Sequence, residues 1–248
     1  YMGISNDFIA ECLRDFPDRL QGLAYVEEWL IQRDMDASIG KLQRAICELG
    51  LHGLQFLPDH MSLYGQQENW DKDSFKPYWD ALASLKVPLF ITPSFSSLQN
   101  RGSTINGLIT ELTKLRHWMN NYPDVKVVLT HGLFWRVFIE NDELNIPDEI
   151  FDALPLDNPN FYLQILFVIF LGGVWDYPMM QVRSTMEKLV DRVGVNRLMW
   201  GTDIPMVMRF YTYRQCQDHM RIVCDFLSLS DQDKILGGNI AQLMGVPT

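Results

Sequence analysis

Two polar side chains, Asp203 and His131, come directly after apolar runs of the kind that form buried strands. Asp203 lies in the segment RLMWGTDIP, and His131 ends the segment VKVVLTH. A carboxylate at a strand end can act as a general base towards water, and an imidazole can stabilise an oxyanion that forms on a carbonyl. The simpler alternatives are an aspartate that caps a helix and a histidine that hydrogen-bonds a backbone carbonyl in the core. We predict that both residues are catalytic and face one cavity at the same rim of the fold.

Five further residues near predicted strand ends are candidates for contact with a substrate: His60, Thr92, Ser94, Trp135 and Arg209. An arginine fork suits a carboxylate, an aromatic ring can wall a pocket, and hydroxyl groups can donate hydrogen bonds. The alternative for the arginine is an ion pair on the acidic surface, and the alternative for the loop histidine is a solvated position.

Other titratable residues are less informative. Glu27 and Glu28 follow the first predicted strand, and the alternation of side chains directs one of the two towards the site without saying which. His117 and His219 lie in predicted helices, and we expect both at the surface.

The elements that must position these residues alternate between strands and helices. Six apolar runs read as strands: Leu23–Val26, His52–Leu57, Val87–Thr92, Val125–Thr130, Phe161–Phe167 and Arg197–Trp200. Helical periodicity fills the intervals, with Asn6–Asp7 and Asp36 as the predicted caps of the first two helices. Such alternation is typical of a parallel sheet covered by helices. The Gly-x-Gly-x-x-Gly loop of dinucleotide-binding folds is missing after the first strand, which favours a (β/α)8 barrel.

Composition restricts the class of protein. The 248 residues are 47% apolar, which is enough for one large α/β domain spanning residues 1–248. The net charge of −10 makes nucleic acid an improbable partner, and the most apolar stretch, Phe161–Val174, is too short to cross a membrane. The four cysteines form no Cys-x-x-Cys pair, and no signal peptide is visible, so reduced thiols and a cytoplasmic location are expected.

Several segments together resemble a known family. They are Phe16–Ala24, Glu48–Gln55, Phe75–Asp80, Thr130–Gly132, Gly201–Pro205 and Lys234–Gly245. In this order and spacing they are similar to the amidohydrolase-related, metal-dependent TIM-barrel hydrolases and decarboxylases. The resemblance covers nearly the whole chain and implies a (β/α)8 barrel in which Asp203 is a metal ligand, a general base, or both in turn.

Two departures from the family pattern concern the metal. The family's His-x-His pair on its first strand has no counterpart here, so we expect further residues, including the first strands of the barrel, before Tyr1. Where similar proteins place a metal-binding histidine, this chain has Thr92 followed by Pro93, and threonine is a poor ligand for zinc. The resemblance therefore implies one divalent ion, zinc or manganese, with Asp203 as a ligand, and leaves a metal-free site equally open.

The combined expectation is a hydrolase that acts on a small carboxylated or phenolic compound, such as a lactone or an amide. In it Asp203 activates water and His131 stabilises the oxyanion. Two alternatives stay open: non-oxidative decarboxylation of an aromatic or muconate-type acid, and a degenerate barrel that binds a ligand without turning it over. A homodimer is compatible with all three.

Overall fold

The computed structural model describes residues 5–64, 69–93, 104–166 and 174–246. Backbone contacts divide the chain into two compact units. Unit 1 consists of Tyr1–Val128 and Asp157–Asn160, and unit 2 consists of Leu129–Leu156 and Phe161–Thr248. This division does not decide whether residues 1–248 fold as a single domain, which stays a prediction.

Unit 1 is built on four strands that lie side by side in chain order: β1 (Leu23–Tyr25), β2 (Gly53–Phe56), β3 (Leu89–Ile91) and β4 (Val127–Leu129), whose last residue begins unit 2. Leu23 pairs with Gly53 and Leu54 pairs with Leu89, both in parallel register. Helices separate successive strands because parallel neighbours need crossover connections.

The helices of unit 1 are α1 (Asn6–Asp15), α2 (Met35–Cys47), α3 (Lys76–Leu85) and α4 (Thr104–Asn121). The caps differ from the predicted ones. Ser5 caps α1 by accepting the Phe8 N–H at 3.3 Å, and Asp34 caps α2 by accepting the Ala37 N–H at 3.1 Å. Asn6 cannot act as the cap because it is buried, and its amide exchanges two hydrogen bonds of 2.9 Å with the backbone of Tyr25.

A cluster of aromatic rings supports the carboxyl end of β2. The ring of Trp79 lies edge-on to Phe56 and to Trp118, with centroids 5.0 and 5.4 Å apart. Its indole N–H donates to the carbonyl of Trp70 at 2.7 Å. All four side chains are buried, and burial of each ring contributes about 2–3 kcal/mol. The strand end that precedes His60 therefore rests on a rigid base.

Unit 2 contains an antiparallel hairpin, β5 (Ile139–Glu140) with β6 (Glu143–Leu144), and two parallel strands, β7 (Phe161–Ile165) and β8 (Leu198–Trp200). Leu163 pairs with Leu198, and Ile165 pairs with Trp200. The helices are α5 (Asp148–Ala153), α6 (Arg183–Val193), α7 (Tyr213–Val223), α8 (Leu229–Asp233) and α9 (Asn239–Met244), and a π-helical turn at Lys234–Gly238 joins the last two.

The buried face of α7 corrects one prediction. Cys216, His219, Met220 and Val223 are all buried, and His219 has no exposed surface. The spacing of these residues is that of one helical face, so His219 lies in the core instead of at the surface. His117, on α4, is exposed as predicted.

All six predicted strands are present, and the predicted α/β class is confirmed. The four cysteines are free thiols. Among the described residues, no helix combines the length and the apolar composition that crossing a membrane requires.

Candidate active site

Asp203 follows β8 by three residues and adopts a left-handed backbone conformation, with φ of 53°. Its side chain is partly buried. Burial raises the pKa of this carboxyl above its ordinary value, and the positive charge available on His131 opposes that rise. A partly buried carboxyl with a raised pKa is a stronger base, once ionised, than an exposed one.

His131 follows β4 and is also left-handed, with φ of 61°. Its Nδ1 lies 3.3 Å from the hydroxyl oxygen of Thr130, and its ring stacks on Phe134 with centroids 6.3 Å apart. Burial lowers the pKa of the imidazole, and the charge of Asp203 opposes that shift. The imidazole is therefore neutral at pH 7 and carries a single N–H.

The two side chains thus lie close enough for each charge to act on the pKa of the other. Their pKa values shift in opposite directions, and burial is the larger cause in both. Pairs of titratable groups that differ in this way are a recognised mark of acid–base sites. The arrangement can supply a base and a neutral hydrogen-bond donor.

The turn after β4 is an unusual run of backbone conformations. His131, Leu133 and Phe134 have φ values of 61°, 60° and 53°, and Gly132 between them has 47°. Each non-glycine residue in this region costs on the order of 1–3 kcal/mol and persists only where the surroundings impose it. Residues held in this way cluster at ligand sites, so the turn that carries His131 is a candidate part of a ligand site.

Gln164 contacts the backbone of the candidate residue His131, and the sequence did not reveal this contact. It lies on β7, and its Oε1 accepts a hydrogen bond from the backbone N–H of His131 at 3.3 Å. The only signal for it was one polar residue in the apolar run FYLQILF. Its partner is 33 residues away along the chain, so no local pattern could have identified the contact.

Two glycines allow this contact. A β-carbon on Gly201 would lie 2.7 Å from Nε2 of Gln164, and one on Gly132 would lie 2.7 Å from the backbone oxygen of the same residue. Both distances are shorter than van der Waals contact. The glycine before Asp203 and the glycine after His131 therefore let both turns approach β7 closely.

Arg209 and Trp135 have different surroundings. Arg209 is exposed at the end of the 3-10 helix Met206–Arg209, and it takes part in none of the ion pairs found among the described residues. Arg209 lies six residues after Asp203, and its guanidinium is thus available to bind an anionic group. Trp135 is only 1% exposed, so it packs inside unit 2.

Two of the remaining predicted site residues belong to unit 1. Thr92 follows β3, is buried, and its hydroxyl accepts a hydrogen bond from the Gln55 amide at 3.2 Å. His60 lies in the 3-10 segment Pro58–Tyr64 after β2, with its side chain 24% exposed. Ser94 lies outside the described residues.

The described residues do not form a metal shell. Within residues 5–64, 69–93, 104–166 and 174–246, no group of three or more His, Cys, Asp or Glu side chains could hold a metal ion. Asp203 and His131 are two potential ligands, and Thr92 is directed to Gln55. Since a catalytic zinc needs about three protein ligands, this part of the chain does not fit a metal centre, and no catalytic step is assigned to one.

A cavity of about 660 Å³ in unit 2 does not include the pair. Its lining comes from residues before β8 and from the last helices, including Asn196, Lys234, Asn239 and Gln242. Asn196 precedes β8, whereas Asp203 follows it. Parallel α/β enzymes build their sites at the carboxyl ends of strands, so the pair, and not this cavity, is the candidate active site.

Comparison with known proteins gives a family and a fold. A family model described as Amidohydrolase matches residues 1–246. No curated protein matches the chain.

Three solved structures illustrate the likeness. A 2,6-dihydroxybenzoate decarboxylase from Rhizobium has a TM-score of 0.66 at 19% identity, over 97% of this chain and 75% of that one. A probable 2-pyrone-4,6-dicarboxylic acid hydrolase from Acinetobacter baumannii, with citric acid bound, has a TM-score of 0.65 at 17% identity, over 99% and 80%. A 5-carboxyvanillate decarboxylase from Novosphingobium aromaticivorans, in complex with manganese, has a TM-score of 0.65 at 17% identity, over 97% and 68%. The predicted barrel fold is confirmed at the level of fold family, with six of its parallel strands in the described residues.

Proposed function

Because the chain belongs to the amidohydrolase family, we propose that it is a hydrolase of a lactone or amide bond in a small carboxylated or phenolic compound. The observation that supports this proposal is the pair formed by Asp203 and His131. Each follows a strand of the parallel sheet, each has a left-handed backbone, and their pKa values are shifted in opposite directions. In acyl transfer to water, a carboxylate with a raised pKa can act as the base, and a neutral imidazole can donate a hydrogen bond to the oxyanion.

The steps follow from these protonation states. The carboxylate of Asp203 takes a proton from water as the water oxygen bonds to the substrate carbonyl carbon. The carbonyl oxygen becomes an oxyanion, and the N–H of His131 donates to it. The tetrahedral centre then collapses, the bond to the leaving oxygen or nitrogen breaks, and the protonated Asp203 returns its proton to the leaving group. Both groups end in their starting states.

The remaining site residues hold the substrate in this proposal. Arg209 binds a substrate carboxylate, since its guanidinium is exposed and planar. Thr92, Ser94 and His60 keep the role that the sequence predicts for them, hydrogen bonding to a ligand. Trp135 supports the turn after His131 from within the core, because a residue that is 1% exposed offers little surface to a ligand.

Turnover by the full chain tests the proposal. The substrates are 2-pyrone-4,6-dicarboxylic acid for hydrolysis, followed by ring absorbance, and 2,6-dihydroxybenzoate and 5-carboxyvanillate for release of carbon dioxide. We expect pyrone hydrolysis, a fall in kcat of about 10³-fold for Asp203→Asn, and a fall of about 10²-fold for His131→Gln.

The matched control is Asp191→Asn, which neutralises an exposed aspartate on α6 and should leave kcat unchanged. Wild-type activity in Asp203→Asn would remove the proposed base. Binding of all three compounds without turnover of any would support the ligand-binding alternative.

Decarboxylation is the second candidate, and the raised pKa of Asp203 favours it. A protonated Asp203 can donate its proton to the ring carbon as the bond to the carboxylate carbon breaks and carbon dioxide leaves. Water then restores the proton. Carbon dioxide without ring opening would select this reaction over hydrolysis.

Three further properties complete the proposal. The substrate is a small molecule, the location is cytoplasmic, and the chain forms a homodimer. Analytical ultracentrifugation measures the last of these. The two cofactor predictions, one divalent zinc or manganese ion or none, are distinguished by metal analysis of the purified full chain.

A further inference from the structure

Glu28 is a fully buried carboxyl group to which the proposed chemistry assigns no role. It begins a 3-10 helix three residues after the end of β1 and has no exposed surface. Its Oε1 accepts the backbone N–H of Leu57, the residue after β2, at 2.9 Å. Its Oε2 lies 3.3 Å from Nδ1 of His60, which is an ion-pair distance without the geometry of a hydrogen bond. A buried carboxylate is costly unless a partner compensates it, and the imidazole of His60 is the side chain beside its second oxygen.

His60 is held on several sides. Its Nδ1 lies 3.3 Å from the hydroxyl oxygen of Tyr25 as well as from Glu28. The ring stands edge-on to Tyr25 and tilted to Trp29, with centroids 6.4 and 6.3 Å apart. A solvated loop histidine has no such set of contacts. The imidazole is therefore fixed in orientation while 24% of its side chain stays exposed.

A carboxylate beside one ring nitrogen selects the tautomer. The proton of the imidazole is favoured on Nδ1, facing Glu28, and Nε2 then becomes the nitrogen directed to other groups. Buried carboxylates play this orienting role in several catalytic and metal-binding histidine pairs. The neighbouring Glu27 does not, because it pairs with Lys41.

The location adds a second argument. Glu28 follows β1 and His60 follows β2, and these strands are parallel neighbours. Ligand sites in parallel α/β folds form at the carboxyl ends of strands. The indole of Trp29 is partly exposed beside His60 and offers an aromatic face to a flat ligand.

We propose that His60 binds an oxygen of an aromatic or pyrone carboxylic acid, and that Glu28 is the positioning residue that fixes the imidazole for this contact. The inference rests on the proposed function for the class of substrate, and it concerns binding and not the chemical step. Of the two adjacent glutamates, Glu28 is therefore the one directed towards the ligand site, and Glu27 is not.

Calorimetric titration of the full chain with 2,6-dihydroxybenzoate and with 2-pyrone-4,6-dicarboxylic acid tests it. We expect His60→Gln and Glu28→Gln each to weaken binding of the acid that wild type prefers by about tenfold, and the double variant to be no weaker than either. Glu28→Gln keeps an oxygen for the Leu57 N–H. The matched control Glu27→Gln should bind as wild type does.

A second readout separates positioning from mere structure. In nitrogen NMR of labelled histidine, the Nδ1–H tautomer of His60 should be present in wild type and in Glu27→Gln and lost in Glu28→Gln. Wild-type affinity in both single variants, or no binding of either acid to wild type, would overturn the inference. Normal dependence of binding on His60 with no turnover of any substrate would instead count against the proposed hydrolysis alone.

Discussion

The side chain of Gln164 occupies the space beside Gly201, at the carboxyl ends of β7 and β8. A β-carbon at position 201 would meet Nε2 of Gln164 at 2.7 Å and its Cδ at 2.9 Å. Gly201→Ala must therefore displace the amide that holds the backbone of His131. We expect lower kcat and a loss of stability of about 1 kcal/mol from the hydrogen bond that is broken.

The same substitution should be tolerated in a Gln164→Ala background, because the smaller side chain vacates the space. Unfolding free energies of the two single variants and the double variant give the coupling energy, expected at about 1 kcal/mol. Gly40→Ala is the matched control, since a β-carbon there meets nothing within 4 Å and alanine favours a helix by about 1 kcal/mol. Additive effects at 201 and 164 would contradict the steric argument.

His219 makes folding stability depend on pH. Burial lowers the pKa of its imidazole from 6.5 to about 4. Between these values the unfolded chain binds the proton more readily than the folded one, so stability is lost as the pH falls from about 7 towards 4. The loss attributable to this residue is on the order of 3 kcal/mol.

Urea unfolding at pH 7 and pH 5 measures this effect. His219→Gln removes the titrating ring and should reduce the difference in unfolding free energy between the two pH values. His117→Gln, at an exposed site on α4, should leave the difference as in wild type. An unchanged difference in His219→Gln would mean that the imidazole is accessible to protons in the folded state.

At the scale of elements, the caps of the helices test how well local sequence specifies structure. Asp34 accepts the Ala37 N–H at 3.1 Å and caps α2, whereas the sequence pointed to Asp36, which lies inside the first turn. Asp34→Ala should lower the free energy of unfolding by about 1 kcal/mol. Asp36→Ala should cost a few tenths through the helix dipole alone. Chemical denaturation measures the free energy of unfolding of both variants. Equal losses in the two variants would contradict the assignment of Asp34 as the cap.

Some elements were visible in the sequence for a physical reason. Strands such as Leu198–Trp200 are apolar runs bounded by turn residues, and a polar residue at their ends, such as Asp203 or His131, stands out against them. Contacts between distant segments carry no local signature. Gln164 and Glu28 were missed or left ambiguous because their partners lie 33 and 29 residues away.

Two other errors have the same origin. Asn6 resembles a cap by type, but its amide is used by the backbone of Tyr25, 19 residues later. His219 was expected at the surface because histidine is polar, although Cys216, Met220 and Val223 share its helical face. The period of that face was the stronger signal, and residue type was the weaker one.

At the scale of the whole molecule, the chain is predicted to be a single domain, and the family match spans residues 1–246. A single domain unfolds as one cooperative unit. Cys216 and Cys224 in unit 2 are 1% and 0% exposed, so a thiol reagent reaches them only when the surrounding structure opens. Their rate of labelling therefore reports the opening of unit 2.

A destabilising change in unit 1 should then accelerate that labelling. In a background with Cys12→Ser and Cys47→Ser, which leaves the two buried thiols as reporters, Asp34→Ala should raise the labelling rate about fivefold, because about 1 kcal/mol changes the open population by that factor. Asp36→Ala should change it much less. Tryptophan fluorescence of the Trp79 cluster follows the stability of unit 1. If Asp34→Ala lowers that stability while the thiols react at the wild-type rate, the two units open independently. The single-domain prediction would then be wrong.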